Sequence, residues 1–471
     1  MRRRTEVALV AAAVAALMGG PGAGGAGASN PATAPAPSPA AAGAPLATPV
    51  LSPRRLPRWL SAAAATAELD AALDAALAAP APTSTCLTVE RAGRPLYSLR
   101  GHDELIPASA MKLLTATAAL DKLGPSFRYV TTVTASAPPV GGVVGGDLYL
   151  VGGGDPLLRT PSYVNGLAFG APVYTSLDQL AAQVAAAGVT DVTGGVIGDE
   201  SRYDSQRGVP SWKPSYLADG DVGPLSALEV NDGLLDATPG VTPGAPPPLQ
   251  AAQLFTRLLR RDGVHVAGAA GTGTSPASAT RVTSIDSPPL AQVVGEVLRE
   301  SDDTGAELIT KELGRRFAGE GSTDAGVAVI RSDLAADRLP VGQLVAVDGS
   351  GLSRTDRVTC DLLQADLDRA GPASVLAAAL PVAGRSGTLR YRMTSPPAAG
   401  RVMAKTGTLD GVASLAGYVT PEPGQGPGLT FALVLNGLAS EAQGLAIGDR
   451  VASALARFPG VPPPAQLGPL K

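Results

Sequence analysis

Residues 107–124 read PASAMKLLTATAALDKLG and place Ser109 and Lys112 three positions apart in a segment with almost no other charge. Apolar side chains cover every side of this segment on a helical wheel, so we predict a helix buried within a domain. Lys122 and Gly124 are typical of its C-terminal end. Because residues three apart share one face of a helix, the Ser109 hydroxyl and the Lys112 amine can meet.

Lysine is scarce in this chain, which makes its positions informative. Six lysines stand among 37 basic residues, so arginine supplies nearly all positive charge. Arginine stays protonated near neutral pH, whereas a buried lysine can lose its proton and act as a base toward a serine. The spacing alone is a weak signal, because a capping serine followed by a lysine that reaches solvent gives the same pattern.

Two further short motifs accompany the serine and the lysine. SDD at 301–303 begins a helical segment, and KTGTL at 405–409 lies on a predicted strand. SxxK, SDN and KTG in this order form the motif set of penicillin-binding proteins and serine β-lactamases. A chance occurrence of all three is rare in a chain with so few lysines.

The chain resembles the class C low-molecular-mass penicillin-binding proteins, the D-alanyl-D-alanine carboxypeptidase/endopeptidase family, over about residues 60–460. Further stretches similar to family blocks are GDLYLVGGGDP, DESRYD, GPLSALEVNDG, DGSGLSR and GRSGTLRYRM. A long insertion before the second serine is typical of this family, whereas simple β-lactamases lack it. The resemblance implies an α/β (α+β) fold of the penicillin-binding protein/serine β-lactamase-like transpeptidase type, an antiparallel sheet flanked by helices, with a mostly β insertion.

The resemblance also implies catalytic roles. Ser109 is the acylated nucleophile and Lys112 is its base. Ser301 relays a proton toward the leaving amine, and Lys405 helps to keep Lys112 neutral. The backbone amides of Ser109 and Thr408 form the oxyanion hole.

Substrate binding is assigned in the same way. The hydroxyls of Thr406 and Thr408, with Gly407 between them, hold the carboxylate of the terminal D-Ala. Arg354, in DGSGLSR, is a candidate for binding the acidic side chain of the stem peptide. A surface ion pair explains Arg354 equally well.

One position departs from the family pattern, because Asp303 stands where the family has Asn. An amide can donate a hydrogen bond to the substrate carbonyl, whereas an ionised carboxylate only accepts. An ionised Asp303 near Lys112 also favours the ammonium form of the lysine. Either Asp303 is protonated and donates, or turnover is slower than in the family, or Asp303 points away as a helix cap.

The N-terminal residues have the composition of an export signal. An arginine cluster, an apolar run from Val7 to Met18 and small residues predict a signal peptide over residues 1–28. An uncleaved anchor is the alternative, although the run is shorter than the ~20 residues that span a bilayer. The composition of residues 29–56 predicts a disordered Ala/Pro linker. We therefore expect an exported, extracytoplasmic protein of the cell wall or a periplasm-like space.

The remaining chain is predicted to form one domain with an insertion. Residues 57–128 and 284–471 form the penicillin-binding (DD-peptidase) domain, and residues 129–283 form an inserted β-rich region of one or two small modules. A helix capped by Ser61, a hairpin with its turn at Ala92 and Gly93, and three C-terminal strands followed by a helix are predicted for the domain. These strands are RVMAKTGT, VASLAGYVT and LTFALVLNG.

Composition limits the partners. The net charge of −4 argues against nucleic acid and against an anionic membrane surface. Cys86 and Cys360 form either a disulfide or two buried thiols, because the sequence does not give pairing geometry. Two histidines and no Cys/His cluster argue against a metal site, and no cofactor is expected. Membrane contact is expected only if the N-terminal segment stays uncleaved.

The leading hypothesis is a serine D-alanyl-D-alanine carboxypeptidase/endopeptidase that acts on peptidoglycan stem peptides through an acyl-enzyme. β-Lactams are then expected as covalent inhibitors. The alternative is a catalytically weakened cell-wall binding or scaffold protein, because Asp303 replaces the family Asn. A secreted β-lactamase is a third interpretation, which the long insertion disfavours.

Overall fold

The computed structural model describes residues 58–78, 82, 84–167, 173–235, 238–422 and 426–459. The chain divides into two units, residues 66–459 and a unit of residues 1–65 and 460–471, of which only residues 58–65 are described. The predicted signal peptide and linker lie outside the described residues. None of the described helices is long and apolar enough to cross a bilayer.

The described residues form helices and strands in alternating groups. The α-helices are α1 (Arg58–Leu77), α2 (Met111–Lys122), α3 (Pro161–Val164), α4 (Leu177–Ala186), α5 (Pro214–Ala218), α6 (Pro247–Arg261), α7 (Leu290–Glu300), α8 (Asp303–Phe317), α9 (Thr323–Ala336), α10 (Cys360–Ala370), α11 (Val375–Ala378) and α12 (Glu441–Arg457). The strands are β1 (Ser84–Arg91), β2 (Arg94–Leu99), β3 (Val130–Ala135), β4 (Val143–Val144), β5 (Leu148–Val151), β6 (Leu158–Arg159), β7 (Thr175–Ser176), β8 (Asp191–Val192), β9 (Val196–Asp199), β10 (His265–Val266), β11 (Gly271–Thr272), β12 (Thr280–Asp286), β13 (Val402–Leu409), β14 (Val412–Val419) and β15 (Leu429–Asn436).

A five-stranded antiparallel sheet forms the centre of the molecule, in the order β13-β14-β15-β1-β2. The turn of the first hairpin uses Ala92 and Gly93, both with positive φ, as a two-residue hairpin turn requires. The chain enters the sheet at β1, leaves after β2 and returns through β13 to β15. The strand that carries KTGTL is therefore an edge strand, and its outer side faces the motifs on the helices.

Helices cover both faces of this sheet. Ala413 of β14 lies against α12, since a Cβ on Gly444 would meet it. Tyr418, on the opposite face of the same strand, donates a hydrogen bond to the Leu367 carbonyl of α10 at 2.6 Å. Helix α2 packs against α8, α9 and α10, so it is buried on all sides as its sequence predicts. The antiparallel sheet flanked by helices is thus confirmed.

The segment between α2 and α7 has a hydrophobic core of its own. It contains a mixed five-stranded sheet (β11-β9-β5-β3-β12), a parallel three-stranded sheet (β10-β8-β4) and the parallel pair β6-β7. Helices α4 and α6 pack against each other and against the five-stranded sheet. Strand β12 runs across the predicted boundary at residue 283. We call residues 129–283 the inserted region below.

The structure corrects one prediction from the sequence and settles one that the sequence left open. Helix α1 begins at Arg58, so Ser61 lies within the helix and the predicted cap is wrong. Cys86 of β1 and Cys360, the first residue of α10, form a disulfide across 274 positions of sequence. The cross-link ties the central sheet to the helix that follows the DGSGLSR segment.

Candidate active site

Ser109 lies in a 3-10 turn, Ala108–Ala110, that runs directly into α2. Its side chain is half-buried, whereas that of Lys112 is fully buried one turn later. The Lys112 ammonium donates to Ser109 Oγ at 3.0 Å, to Asp303 Oδ1 at 2.5 Å and to the Ser350 carbonyl at 2.7 Å. The nucleophile and base predicted from the SxxK spacing are therefore in hydrogen-bond contact.

The second motif forms a tight turn between α7 and α8. Ser301 ends α7 with φ of 57°, a left-handed conformation that residues other than glycine adopt at a cost. Asp302 is the N-cap of α8 and accepts from the Gly305 amide at 2.8 Å. Asp303 begins α8 and faces Lys112. The interpretation of Asp303 as an outward-pointing helix cap is wrong, because its neighbour Asp302 fills that role.

The third motif lies on β13 beside both serines. Lys405 is fully buried and donates to Ser301 Oγ at 2.8 Å and to the Thr406 carbonyl at 2.7 Å. Gly407 leaves room for the nucleophile turn, since a Cβ there would lie 2.9 Å from the Ser109 amide nitrogen and 2.2 Å from Ser414 Oγ. The strand can therefore approach Ser109 only because this position is glycine.

The predicted substrate-binding residues lie along the same strand and at its end. The Thr406 hydroxyl donates to Thr388 Oγ1 at 2.8 Å, and Thr408 is half-exposed. Arg354 Nη1 donates to the carbonyl of Asp410, in the turn that follows β13, at 2.8 Å. This contact places Arg354 at the end of β13 and leaves its role in substrate binding a prediction.

The DGSGLSR segment takes part in the site through residues other than Arg354. The Ser350 carbonyl binds Lys112, and the amides of Gly349 and Ser350 donate to Glu307 Oε1 of α8 at 2.9 and 2.7 Å. Gly351, with φ of +83°, approaches the Ala108 carbonyl so closely that a Cβ would lie 2.0 Å from it. The Gly-Ser-Gly pattern was the available signal for this close approach.

Burial changes the ionisation of the carboxyl groups around this segment. Burial, together with the nearby Asp348 carboxyl, raises the pKa of Glu307 to about 8 and that of Asp356 to about 10. Both shifts favour the protonated form of the carboxyl group near neutral pH. Lys112 itself is in direct contact with the Asp303 carboxyl group.

The site can be compared with known proteins. The model of the D-Ala-D-Ala carboxypeptidase 3 (S13) family matches residues 69–247 and 244–458. The chain belongs to this family. A D-alanyl-D-alanine carboxypeptidase from an Actinomadura species is 33% identical over 448 residues, which cover 78% of this chain and 80% of that protein. A carboxypeptidase from Mycobacterium tuberculosis is 32% identical, over 74% and 75% of the two chains.

The fold has a solved counterpart. The crystal structure of penicillin binding protein 4 from Haemophilus influenzae superimposes with a TM-score of 0.68 at 21% identity, covering 81% of this chain and 97% of that chain. The predicted family, fold class and enzyme class, a serine-type D-Ala-D-Ala carboxypeptidase, are confirmed. The alternative, a scaffold protein with weak or no turnover, finds no support among these relatives.

Proposed function

We propose that the protein removes the terminal D-Ala from peptidoglycan stem peptides that end in D-Ala-D-Ala, through an acyl-enzyme on Ser109. The observation that carries the proposal is the buried Lys112 amine 3.0 Å from the half-exposed Ser109 hydroxyl. A second lysine, Lys405, binds the neighbouring Ser301 hydroxyl. This is the arrangement that an activated serine nucleophile requires.

Acylation follows from these contacts. In its neutral form, the Lys112 amine accepts the Ser109 proton while Oγ bonds to the carbonyl carbon of the penultimate D-Ala. The amides of Ser109 and Thr408 stabilise the oxyanion. As the carbon–nitrogen bond breaks, Ser301 relays the proton taken by Lys112 to the nitrogen of the leaving D-Ala and keeps its own hydroxyl, which Lys405 holds in place. Water then hydrolyses the ester.

The terminal carboxylate of the substrate is bound on β13. The hydroxyls of Thr406 and Thr408 reach this carboxylate, and Gly407 allows the strand to lie beside Ser109. Arg354, at the end of the strand, binds an acidic group of the stem peptide. β-Lactams, whose carboxylate and strained amide imitate the same end of the peptide, acylate Ser109. Endopeptidase action on D-amino acid crosslinks uses the same machinery.

Such a substrate lies outside the cytoplasm, and the sequence of residues 1–28 agrees with export. The division into a DD-peptidase domain, residues 57–128 and 284–471, and an inserted region, residues 129–283, belongs to the same proposal. It is supported by the separate hydrophobic core of the inserted region.

Two assays on purified protein test the proposal. Wild-type protein should be labelled by a fluorescent penicillin and should release D-Ala from a tripeptide that ends in D-Ala-D-Ala. Ser109→Ala should lose both activities while it keeps the thermal midpoint within a few degrees. If wild type and Ser109→Ala release D-Ala equally, the serine mechanism is wrong.

A further inference from the structure

The turn that carries the second motif is held by three buried cations. Each of the three consecutive side chains of the turn contacts a different cation, and the three cations come from different parts of the chain. The pairs are Ser301 with Lys405, Asp302 with Arg159, and Asp303 with Lys112. Lys112 and Lys405 belong to the proposed catalytic motifs. Arg159 comes from β6 in the inserted region and has no assigned role.

Arg159 is almost completely buried, with 2% of its side chain exposed. Its Nη2 atom lies 3.2 Å from Asp302 Oδ2 and donates to both carboxylate oxygens of Asp232, at 2.9 and 3.2 Å. Its Nη1 atom lies 3.7 Å from Glu296 Oε1 of α7. Burial alone would lower the pKa of Arg159, but Asp232 and Asp302 raise it above its usual value. Arg159 therefore stays charged and joins the inserted region to both helices that flank the turn.

Arg159 is itself held by a strained segment of the inserted region. Asn231 and Asp232 both have left-handed backbone conformations, with φ of 59° and 57°. Asn231 exchanges hydrogen bonds with the backbone amide and the hydroxyl of Thr160, and Tyr163 donates to Asp232 Oδ2 at 2.6 Å. Backbone strain of this kind persists only where the surroundings enforce it, and it concentrates at functional sites.

The Asp302 carboxylate links this cation to the catalytic turn. One oxygen caps α8 through the Gly305 amide at 2.8 Å, and the other contacts Arg159. Ser301, immediately before it, has a left-handed conformation, and its hydroxyl accepts a hydrogen bond from Lys405. A rotation of Asp302 would therefore move Ser301 and Asp303 together.

We propose that Arg159 is a positioning residue through which the inserted region fixes Ser301 and Asp303 relative to Ser109. The inference rests on the proposed function, since it concerns the geometry of that site. Loss of Arg159 leaves buried carboxylates without their counter-ion, and the turn then shifts. A displacement of 1 Å at a reacting group can cost a factor of about 100 in rate.

A second arginine of the inserted region contacts the same helix, α8, and serves as a matched control. Arg202, also from the inserted region, forms a bidentate contact with Glu312 of α8 at 2.6 and 2.8 Å. Glu312 is ten positions beyond Asp302, about 15 Å along the helix. This contact joins the inserted region to α8 but does not involve the second motif. Its removal therefore measures the effect of losing an interface contact alone.

The experiment compares Arg159→Met with Arg202→Met in the full-length protein. We expect both to lower the thermal midpoint. Arg159→Met should lower kcat for D-Ala release about 10- to 100-fold with KM nearly unchanged, whereas Arg202→Met should keep kcat within about twofold of wild type. Arg159→Lys should recover most of kcat, because a single nitrogen of Arg159 makes the close contacts to Asp232 and Asp302.

Hydrogen exchange separates this inference from the proposed function. Amides of residues 301–306 should exchange faster in Arg159→Met than in wild type, and at the wild-type rate in Arg202→Met, whether or not substrate is turned over. Asp302→Asn retains an N-cap and removes the charge, so it should lower kcat even if Arg159→Met does not fold. Wild-type kcat in Asp302→Asn, or an equal loss of kcat in Arg202→Met, would overturn the inference.

Discussion

The direct contact between Lys112 and Asp303 is the most unusual feature of the site at the scale of single residues. The ammonium and carboxylate groups are 2.5 Å apart, with 0% and 3% of the two side chains exposed. An amine engaged in such an ion pair has no free lone pair to accept the Ser109 proton. The SDN motif of penicillin-binding proteins has an amide at this position, whereas this chain pairs the candidate base directly with a carboxylate.

Replacement of the carboxylate by an amide is predicted to speed acylation. Asp303→Asn should raise the rate of penicillin labelling near neutral pH about tenfold, because Lys112 is then no longer held in a buried ion pair. Stopped-flow fluorescence with a labelled penicillin measures this rate. Asp302→Asn removes the adjacent carboxylate and should slow labelling instead, because Asp302 positions the turn. An unchanged or slower rate in Asp303→Asn would contradict this account of the carboxylate.

Arg354 is predicted to select substrates by charge. It lies at the end of β13, where its guanidinium donates to the Asp410 carbonyl. Arg354→Ala should raise KM about 10- to 150-fold for a stem peptide with an acidic side chain on the residue before D-Ala-D-Ala, the loss expected for a hydrogen bond to a charged group. The kcat value should not change. Steady-state assays should show no such rise for a peptide with an apolar side chain, and equal effects on both peptides would reduce Arg354 to a surface contact.

At the scale of secondary-structure elements, the site depends on the close approach of β13 to the nucleophile turn. Gly407→Ala would place a methyl group 2.9 Å from the Ser109 amide nitrogen. Penicillin labelling should fall at least about 100-fold, because the strand can no longer lie beside Ser109. Gly342→Ala is the control, since a Cβ at Gly342 meets nothing within 4 Å. Normal labelling of Gly407→Ala would show that the approach is not required.

The sequence predicts the elements and motifs that depend on local pattern. Ser109 and Lys112 meet because residues three apart share a helix face, and the Ala92–Gly93 turn follows from local turn chemistry. In contrast, Asp302 and Asp303 are equally suitable N-cap residues by sequence. Only the three-dimensional placement of α8 decides that Asp302 is the cap. The contact of Ser350 with Lys112 and that of Arg159 with Asp302 join distant segments, and no local pattern encodes them.

At the scale of the whole molecule, the Cys86–Cys360 disulfide joins the central sheet to α10 across 274 positions. A cross-link that closes so long a loop limits the unfolded chain, and such bonds typically stabilise a protein by about 2–4 kcal/mol. The Cys86→Ser/Cys360→Ser double variant should show that loss in denaturant unfolding. Thiol titration of unfolded wild type without reductant should find no free thiol. Two free thiols would contradict the pairing.

Buried carboxyl groups give the molecule an unusual dependence of stability on pH. Burial raises the pKa of Asp366 to about 7, and burial with Asp348 raises that of Glu307 to about 8. The folded state therefore binds these protons more tightly than the unfolded state, in which such groups titrate near pH 4. Their contribution to stability is fully present below about pH 4 and is lost as the pH rises through 7 and 8.

We expect a higher thermal midpoint at about pH 6 than at about pH 9. Differential scanning calorimetry of the wild type measures the difference. Asp366→Asn should reduce it, because Asn does not titrate in this range. A midpoint that rises steadily from pH 6 to pH 9 would show that the carboxyl groups ionise without cost in the folded protein.

The central claim is that Ser109 is the residue that forms the acyl-enzyme. Tandem mass spectrometry of proteolytic peptides from penicillin-treated protein tests it most directly. We predict one adduct with the mass of the intact penicillin, on Ser109 in the peptide that contains Lys112, and no adduct in Ser109→Ala. An adduct on Ser301, or none on wild type under conditions that saturate labelling, would contradict the account.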